Sequence, residues 1–490
     1  MNGRVHIDTD RDSVRFDRMI FGQFLEHFHR QVYGGVFEPG SLLSDERGFR
    51  TDVIEALREL RVPIVRWPGG CFVSAYHWKE GVGRARRPVY DKAWYVEEPN
   101  TFGTDEFVAW CRAIGAEPYI CTNAGSGDEE EMSDWVEYCN GSLGRWAAAR
   151  RENGYGEPHN VRFWSIGNEN YGGHEIGAKK ASAWPGFVAE SAKMMTRADP
   201  TIRLLAAALP DPDWTLPLLR EAGPWLSAIS IHGYWDALWQ ENRPSDYAAC
   251  MLRSTAPEAM IRKAESVIHV AGLDGKVTLA FDEWNLRGWH HPPLHGALFA
   301  DVPARDKNDI NATYTMADAL FSACFLHGCL RHAKTVRMAC MAPVVNARGP
   351  LYVHPGGIVK RTTFHVMKMY SDRLAPNVID CWHDGDLFES EDGSVPALDA
   401  VATADDERKR IVLALVNRHP EKELRCRVRV NGRAPAGPAE AVVLAGDGPD
   451  AFNDVEAPHR VAPETVALGF REGAVALRPH SITICDLPAV

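Results

Sequence analysis

No apolar run in the sequence approaches the roughly 18 residues that a membrane-spanning helix needs, so no membrane partner is expected. A positive excess is also missing. The formal net charge of −12 argues against nucleic acid or an anionic membrane as partner and fits a neutral substrate. No Gly-x-Gly-x-x-Gly follows the first strand-like segment and no phosphate loop occurs, so no organic cofactor is implied. The 11 cysteines are odd in number and scattered without Cys-x-x-Cys spacing, so neither a disulfide framework nor a zinc ribbon is indicated. Reduced thiols in a cytosolic enzyme are the simpler account, with Cys111, Cys324 and Cys329 as core filler inside helical patterns. The start, Met1 to Ile7, is charged within a few residues and has no apolar signal segment, which again suggests the cytoplasm. Internal repeats of fixed period and low-complexity linkers are absent too.

What is present is an ordinary globular composition, 45% hydrophobic and 24% charged, in a chain of 490 residues. From about Arg15 to Leu374, strand-like and helix-like segments alternate. The strand candidates are Met19–Phe24, Val62–Trp67, Glu117–Thr122, Val161–Ile166, Ile202–Ala208, Ala228–His232, Val277–Phe281 and Val336–Ala342. Helical patterns between them include Thr51–Leu60, Thr104–Ile114, Glu131–Arg150, Trp184–Arg197, Pro257–Ala271 and Asn311–His332. Alternation of this kind predicts parallel βαβ units, and eight strands match an α/β fold of the (β/α)₈ barrel type. A doubly wound open sheet is the runner-up. After about Met369 the periodicity shortens to Arg410–Val416, Leu424–Val430, Ala441–Leu444 and Ser481–Leu487, separated by turn residues. That texture predicts an antiparallel β-sandwich, to which Val5–Asp8 and Ser13–Phe16 add strands. The expected division is a catalytic barrel over residues 17–370 and a sandwich domain of 1–16 plus 371–490.

Chemistry collects where these strands end. The run Val161–Ile166 delivers Asn168 and Glu169, and Val277–Phe281 delivers Asp282 and Glu283. Carboxylates at the ends of buried strands cost stability and ask for a reason. Glu169 and Glu283 fall at strands four and seven of a barrel, facing one another across its C-terminal mouth, as the two carboxyls of a glycosidase would. The other strand ends carry Glu26 and His27; Arg66, Trp67 and Cys71; Asn123; His232 and Tyr234; Trp284; and Asn346. This polar, aromatic ring suits a sugar. Asn168 is placed to donate to a sugar hydroxyl. Arg66 is read as a buried guanidinium that orients the nucleophile, or equally as a structural ion pair. Glu26 either accepts from sugar hydroxyls or pairs with Arg30 or Arg66. Tyr234 is placed to hydrogen-bond the nucleophile and His232 to support it, though a residue of either kind is as often simply satisfied in a core. His290, His291 and His295 have no carboxylate or thiolate at metal-site spacing, so they are read as part of a polar lid, and no metal is expected. Glu129–Glu131 reads as the solvated start of a helix.

The sequence resembles glycoside hydrolase family 51, the α-L-arabinofuranosidases. The likeness runs through Phe21-Gly-Gln-Phe-Leu-Glu-His27, Arg66-Trp-Pro-Gly-Gly-Cys-Phe72, Tyr76-His-Trp78, Asn100-Thr-Phe-Gly-Thr-Asp-Glu-Phe107, Glu117-Pro-Tyr-Ile120, Gly167-Asn-Glu-Asn170 and Asp282-Glu-Trp284. It implies a retaining barrel enzyme with a β-sandwich, cytosolic and often hexameric. Glu169 would then be the acid/base and Glu283 the nucleophile. Glu26, Arg66, Cys71, Asn168 and Tyr234 would line the furanose subsite. Two departures stand out: Pro343 replaces a glutamine that reaches the sugar, and Val73-Ser74-Ala75 lacks the acidic residues often found there. The expected activity is exo-acting release of terminal α-L-arabinofuranosyl units from oligosaccharides. Its rivals are a shifted sugar specificity (β-D-xylosidase, galactofuranosidase or endo-glucanase) and a carbohydrate-binding protein without turnover. A protonated acid beside an ionised nucleophile predicts a bell-shaped pH profile.

Overall fold

The computed structural model describes residues 1–236, 244–288 and 314–488. Eight parallel strands close into a barrel in chain order: Gly22–Phe24, Ile64–Trp67, Glu117–Thr122, Phe163–Ile166, Arg203–Ala207, Ala228–Asp236, Thr278–Arg287 and Val336–Met341. They are called strands one to eight below. The apolar runs form strands because both faces are covered, by the barrel interior on one side and by the surrounding helices on the other. The segment expected as Met19–Phe24 divides. Asp17 caps a short 3₁₀ turn over Arg18–Phe21, leaving three residues for the strand. The helical pattern Glu131–Arg150 also divides, into Glu129–Asn140 and Arg145–Glu152, around Gly141 and Gly144. Asp128 caps the first of these, so the acidic run does open a helix.

Strands six and seven outrun the others, reaching Asp236 and Arg287. Each carries a register irregularity in its first half, after Ser230 in one and after Phe281 in the other. Bulges of this kind re-aim side chains. Beyond the irregularity His232 pairs in register with Glu283.

The second unit is a ten-stranded sheet. Asn2–Asp8 lies between Asn377–Gly385, to which it is antiparallel, and Leu424–Val430, to which it is parallel. The sheet is therefore mixed rather than antiparallel throughout. A strand from the far end of the chain is bound by no short hairpin, so nothing forces it antiparallel on both sides. The strands Asn377–Gly385, Leu398–Ala404, Glu464–Phe470 and Ala474–Leu477 were not foreseen. Leu398 packs over Gly3, where an added Cβ would meet it at 2.8 Å.

Barrel and sheet meet through ion pairs at the end of the helix Met316–Arg331. Arg331 binds Asp399 of the sheet at 2.9 Å and Glu258 of a neighbouring helix at 2.6 Å. His332 hydrogen-bonds Glu265 at 2.8 Å and Glu258 at 3.4 Å. Burial alone would lower the His332 pKa, but these two carboxylates outweigh it and push it up to about 9. A raised histidine stabilises the fold fully below its unfolded pKa of about 6.5. That contribution is lost as the pH climbs through about 9. Denaturant unfolding should thus show His332→Gln losing less stability than wild type over this window, by on the order of 1 kcal/mol for a partly solvated group.

Candidate active site

Glu169 stands just beyond strand four with φ of 44°, a left-handed backbone that is uncommon outside glycine. Such strain collects at functional sites. Both of its oxygens are engaged: Oε1 meets Nδ1 of His232 at 2.7 Å, and Oε2 meets Nε2 of His174 at 2.8 Å. Burial pushes the Glu169 carboxyl up, but the bonds to His174 and His232 outweigh it and hold it below the usual carboxylate range. His174 is raised by its bond to Glu169. His232 is raised because the charge of Glu283 and the bond to Glu169 outweigh its burial.

Glu283 comes from strand seven. Tyr234 donates to its Oε1 and Arg66 to its Oε2, each at 2.8 Å. An oxygen of Glu169, a nitrogen of His232 and an oxygen of Glu283 all lie within 4.8 Å of one another. Arg66, wholly buried on strand two, also donates to Asn168 Oδ1 at 2.8 Å and lies 3.3 Å from Asp282. Asp282 accepts from Tyr119 and Ser230, each at 2.6 Å. One guanidinium thus ties strands two, four and seven together. Removing it would strand two buried carboxylates, a loss of about 3–5 kcal/mol for a broken buried pair.

Glu26 follows strand one. Its Oε1 accepts from the Phe72 amide and from Trp94 Nε1, each at 2.9 Å, while Oε2 has no hydrogen-bond partner among the described residues. Burial, then the charge of Glu283, raises its pKa to about 8. Neither Arg30 nor Arg66 pairs with it among the described contacts. Gly69, at φ of 137°, lets the loop lie on this carboxylate; an added Cβ would sit 2.2 Å from Glu26 Cγ. Cys71, His232, Tyr234, Glu169 and Glu283 line a cavity of about 410 Å³, joined by Lys92, Trp94, Tyr95, Tyr171 and His174. Its volume suits one or two sugar units.

Residues 56–251 match the family model described as "Alpha-L-arabinofuranosidase 1 domain", and residues 282–481 match "Alpha-L-arabinofuranosidase C-terminal domain". The α-L-arabinofuranosidase C of Emericella nidulans is 33% identical over 92% of this chain and 90% of its own length. The chain belongs to glycoside hydrolase family 51, the α-L-arabinofuranosidases. An intracellular exo-α-(1→5)-L-arabinofuranosidase of Halalkalibacterium halodurans is 34% identical over 85% of each chain. Among solved structures, the arabinose complex of the α-L-arabinofuranosidase of Thermotoga maritima superposes with a TM-score of 0.87 at 32% identity, covering 99% of both chains. The family 51 enzyme of Thermotoga petrophila gives 0.88 at 32% identity, covering 99% of this chain and all of the other.

Within this family 51 chain, several strand-end residues do not reach the cavity. His27 is held between Glu98 and the Trp67 indole, at 2.9 and 3.0 Å. Asn123 binds its own loop and the Tyr76 carbonyl. Asn346 joins the Arg30 carbonyl to the Val353 amide, and Trp284 stacks on Phe325. Pro343 and Val73 to Ala75 are not among the cavity-lining residues, and Ser74 is used to hold Glu175. His290, His291 and His295 lie outside the described residues. Sequence reasoning missed Trp94, His174 and Glu175, and gave Asp282 no role. Trp94 sits between the strands Val89–Asp91 and Val96–Glu98, too short to show a period. The available signal for the other two was a histidine and a glutamate directly after the Gly172-Gly173 pair.

Proposed function

We propose that this glycoside hydrolase removes terminal α-L-arabinofuranosyl units from oligosaccharides by double displacement, with Glu283 as nucleophile and Glu169 as acid/base. The observation that carries the reading is that one oxygen of each of the two carboxyls lies within 4.8 Å of the other. A retaining pair needs about 5–5.5 Å, whereas an inverting pair needs about 6.5–9.5 Å to admit a water. The family and the intracellular exo-acting relative supply the sugar. In this scheme Glu283 attacks the anomeric carbon while Glu169 protonates the departing oxygen, and Glu169 then deprotonates the water that releases the sugar. Arg66 and Tyr234 hold the nucleophile in line. Cys71 lines the cavity, whereas Glu26 and Asn168 are buried and not among its lining residues. In this reading a bound sugar's hydroxyls reach Glu26 Oε2, which has no hydrogen-bond partner among the described residues.

The free protein stores the acid's proton in the cluster of Glu169, His174 and His232 rather than on the carboxyl itself. Arrival of the glycosidic oxygen displaces the exposed His174 and gives the proton a reason to move onto Glu169. That proton is lost as the pH rises through the raised histidine values, so the alkaline limb of kcat/KM should lie above about 6.5, the ordinary imidazole value. A limb below that value contradicts the storage. The reading also takes residues 17–370 as the catalytic unit and 1–16 plus 371–490 as the sheet unit. It places the enzyme in the cytoplasm as a homo-oligomer, a hexamer by family resemblance. No helix among the described residues is long and apolar enough to cross a membrane.

The test is a panel of 4-nitrophenyl glycosides: α-L-arabinofuranoside, β-D-xyloside, β-D-galactofuranoside and β-D-glucoside. The arabinofuranoside should be turned over fastest. Preference for another sugar overturns the substrate and keeps the mechanism; no turnover at all favours a binding protein.

A further inference from the structure

Beside the two glutamates lies a second cluster, which shares Cys71 and His174 with the sugar site and adds Glu175, a residue without a task in the proposed reaction. Cys71, in the 3₁₀ turn after strand two, meets His174 and Glu175, in the loop after strand four. One ligand atom from each lies within 4.8 Å of the other two. Glu175 is buried, Cys71 is half-buried and His174 is exposed. The cluster is therefore anchored at the back and open at the front, where Cys71 and His174 line the cavity. The carboxylate is held by the Ser74 hydroxyl on Oε1 and by Asn168 Nδ2 at 3.3 Å on Oε2. Carboxylates fixed in this way by outer hydrogen bonds are what metal sites use to aim a ligand.

We propose that Cys71, His174 and Glu175 form a Zn²⁺ site at the mouth of the sugar cavity, and that zinc bound there excludes the substrate. Sulfur, nitrogen and oxygen together suit zinc, whereas magnesium and calcium take oxygen alone. Tetrahedral zinc with bonds of about 2.0–2.3 Å sets its ligands about 3.5 Å apart. Since the ligand atoms already lie within 4.8 Å of one another, closing onto zinc asks for a movement of at most about 1.3 Å, which the exposed imidazole can supply. Three protein ligands leave a fourth position facing the cavity for water. Coordination by the thiolate releases the thiol proton to solvent.

The other carboxylate–histidine cluster, Glu169 with His232 and Glu283, is a poorer host. Arg66 already bonds Glu283 there at 2.8 Å, and a second cation would meet its charge. Occupancy of the outer site acts on the inner one through His174. That imidazole bonds Glu169 Oε2, so recruiting it to zinc puts a dication beside the carboxyl and fills the space of the departing group. This inhibition rests on the proposed reaction; the binding itself does not.

The experiment uses the full chain, stripped of metal and titrated with Zn²⁺ by calorimetry, and with Co²⁺ by absorption. One equivalent should bind, and cobalt should give a near-ultraviolet thiolate charge-transfer band. Cys71→Ser should remove the band, and both Cys71→Ser and His174→Ala should weaken zinc at least about tenfold. Cys381→Ser, in the sheet unit, should change neither. His174 is exposed, so its variant keeps the test sound if Cys71→Ser folds poorly. Zinc should raise the KM for the arabinofuranoside in wild type far more than in His174→Ala. Binding that ignores both variants, or cobalt without a thiolate band, overturns the site. Zinc binding of the expected kind in a protein that hydrolyses no furanoside would keep the site and reject the proposed function instead.

Discussion

Replacing Glu283 by alanine should lower kcat/KM for 4-nitrophenyl α-L-arabinofuranoside by at least about 10⁴, a loss of about 5 kcal/mol or more in transition-state stabilisation. The effect is large because the carboxylate forms the bond that the reaction depends on, and no neighbour can take its place. Asp282 is the nearest candidate by sequence, but Tyr119, Ser230 and Arg66 hold it below the cavity. The fold should survive, since Arg66 keeps Asp282 and Asn168 as partners. Losing the Arg66 contact to Glu283 costs about 1–3 kcal/mol at most. Azide can enter the space left by the side chain. It should restore some turnover and give the arabinosyl azide of inverted configuration, read by NMR. Rescue with retained configuration would remove Glu283 from the nucleophile's role.

Glu169→Gln should cost about 10²–10⁴ on natural oligosaccharides, the usual worth of a positioned acid/base. The loss should shrink in the first step with a leaving group as weakly basic as 2,4-dinitrophenolate, which departs without a proton. Azide should now rescue the second step and give the retained azide, the opposite of the result at Glu283. Glutamine cannot accept a proton from His174 or His232, so the alkaline limb should vanish with the carboxyl. An unmoved limb at near wild-type rates would show that another group supplies the proton. The two substitutions therefore separate the roles by product geometry as well as by rate.

The outline of this machinery is legible in the sequence because burial writes a simple pattern. Apolar runs of four to six residues that end in Asn-Glu or Asp-Glu announce strands and their cargo. Both glutamates, with Arg66 and Tyr234, lie in or next to such runs. The mixed sheet was harder. Whether Asn2–Asp8 pairs parallel or antiparallel depends on a partner more than 400 positions away, and neither strand records it. Residues on loops escaped for a related reason. Trp94 reaches Glu26 because it stacks on Phe28 at 3.9 Å, a contact with no period along the chain. His174 and Glu175 follow paired glycines that read as punctuation, yet one touches Glu169 and the other is buried beside Ser74. Asp282 was seen and given no task, since nothing local tells a carboxylate that orients an arginine from one that meets a substrate.

The most direct test of the central claim is to trap the intermediate. Glu169→Ala, mixed with 2,4-dinitrophenyl α-L-arabinofuranoside and quenched within the turnover time, should gain the mass of one pentosyl unit. Peptide mass spectrometry should locate that unit on Glu283. A pentosyl adduct on any other residue, or rapid release of sugar with inverted configuration and no adduct, would contradict the double-displacement account.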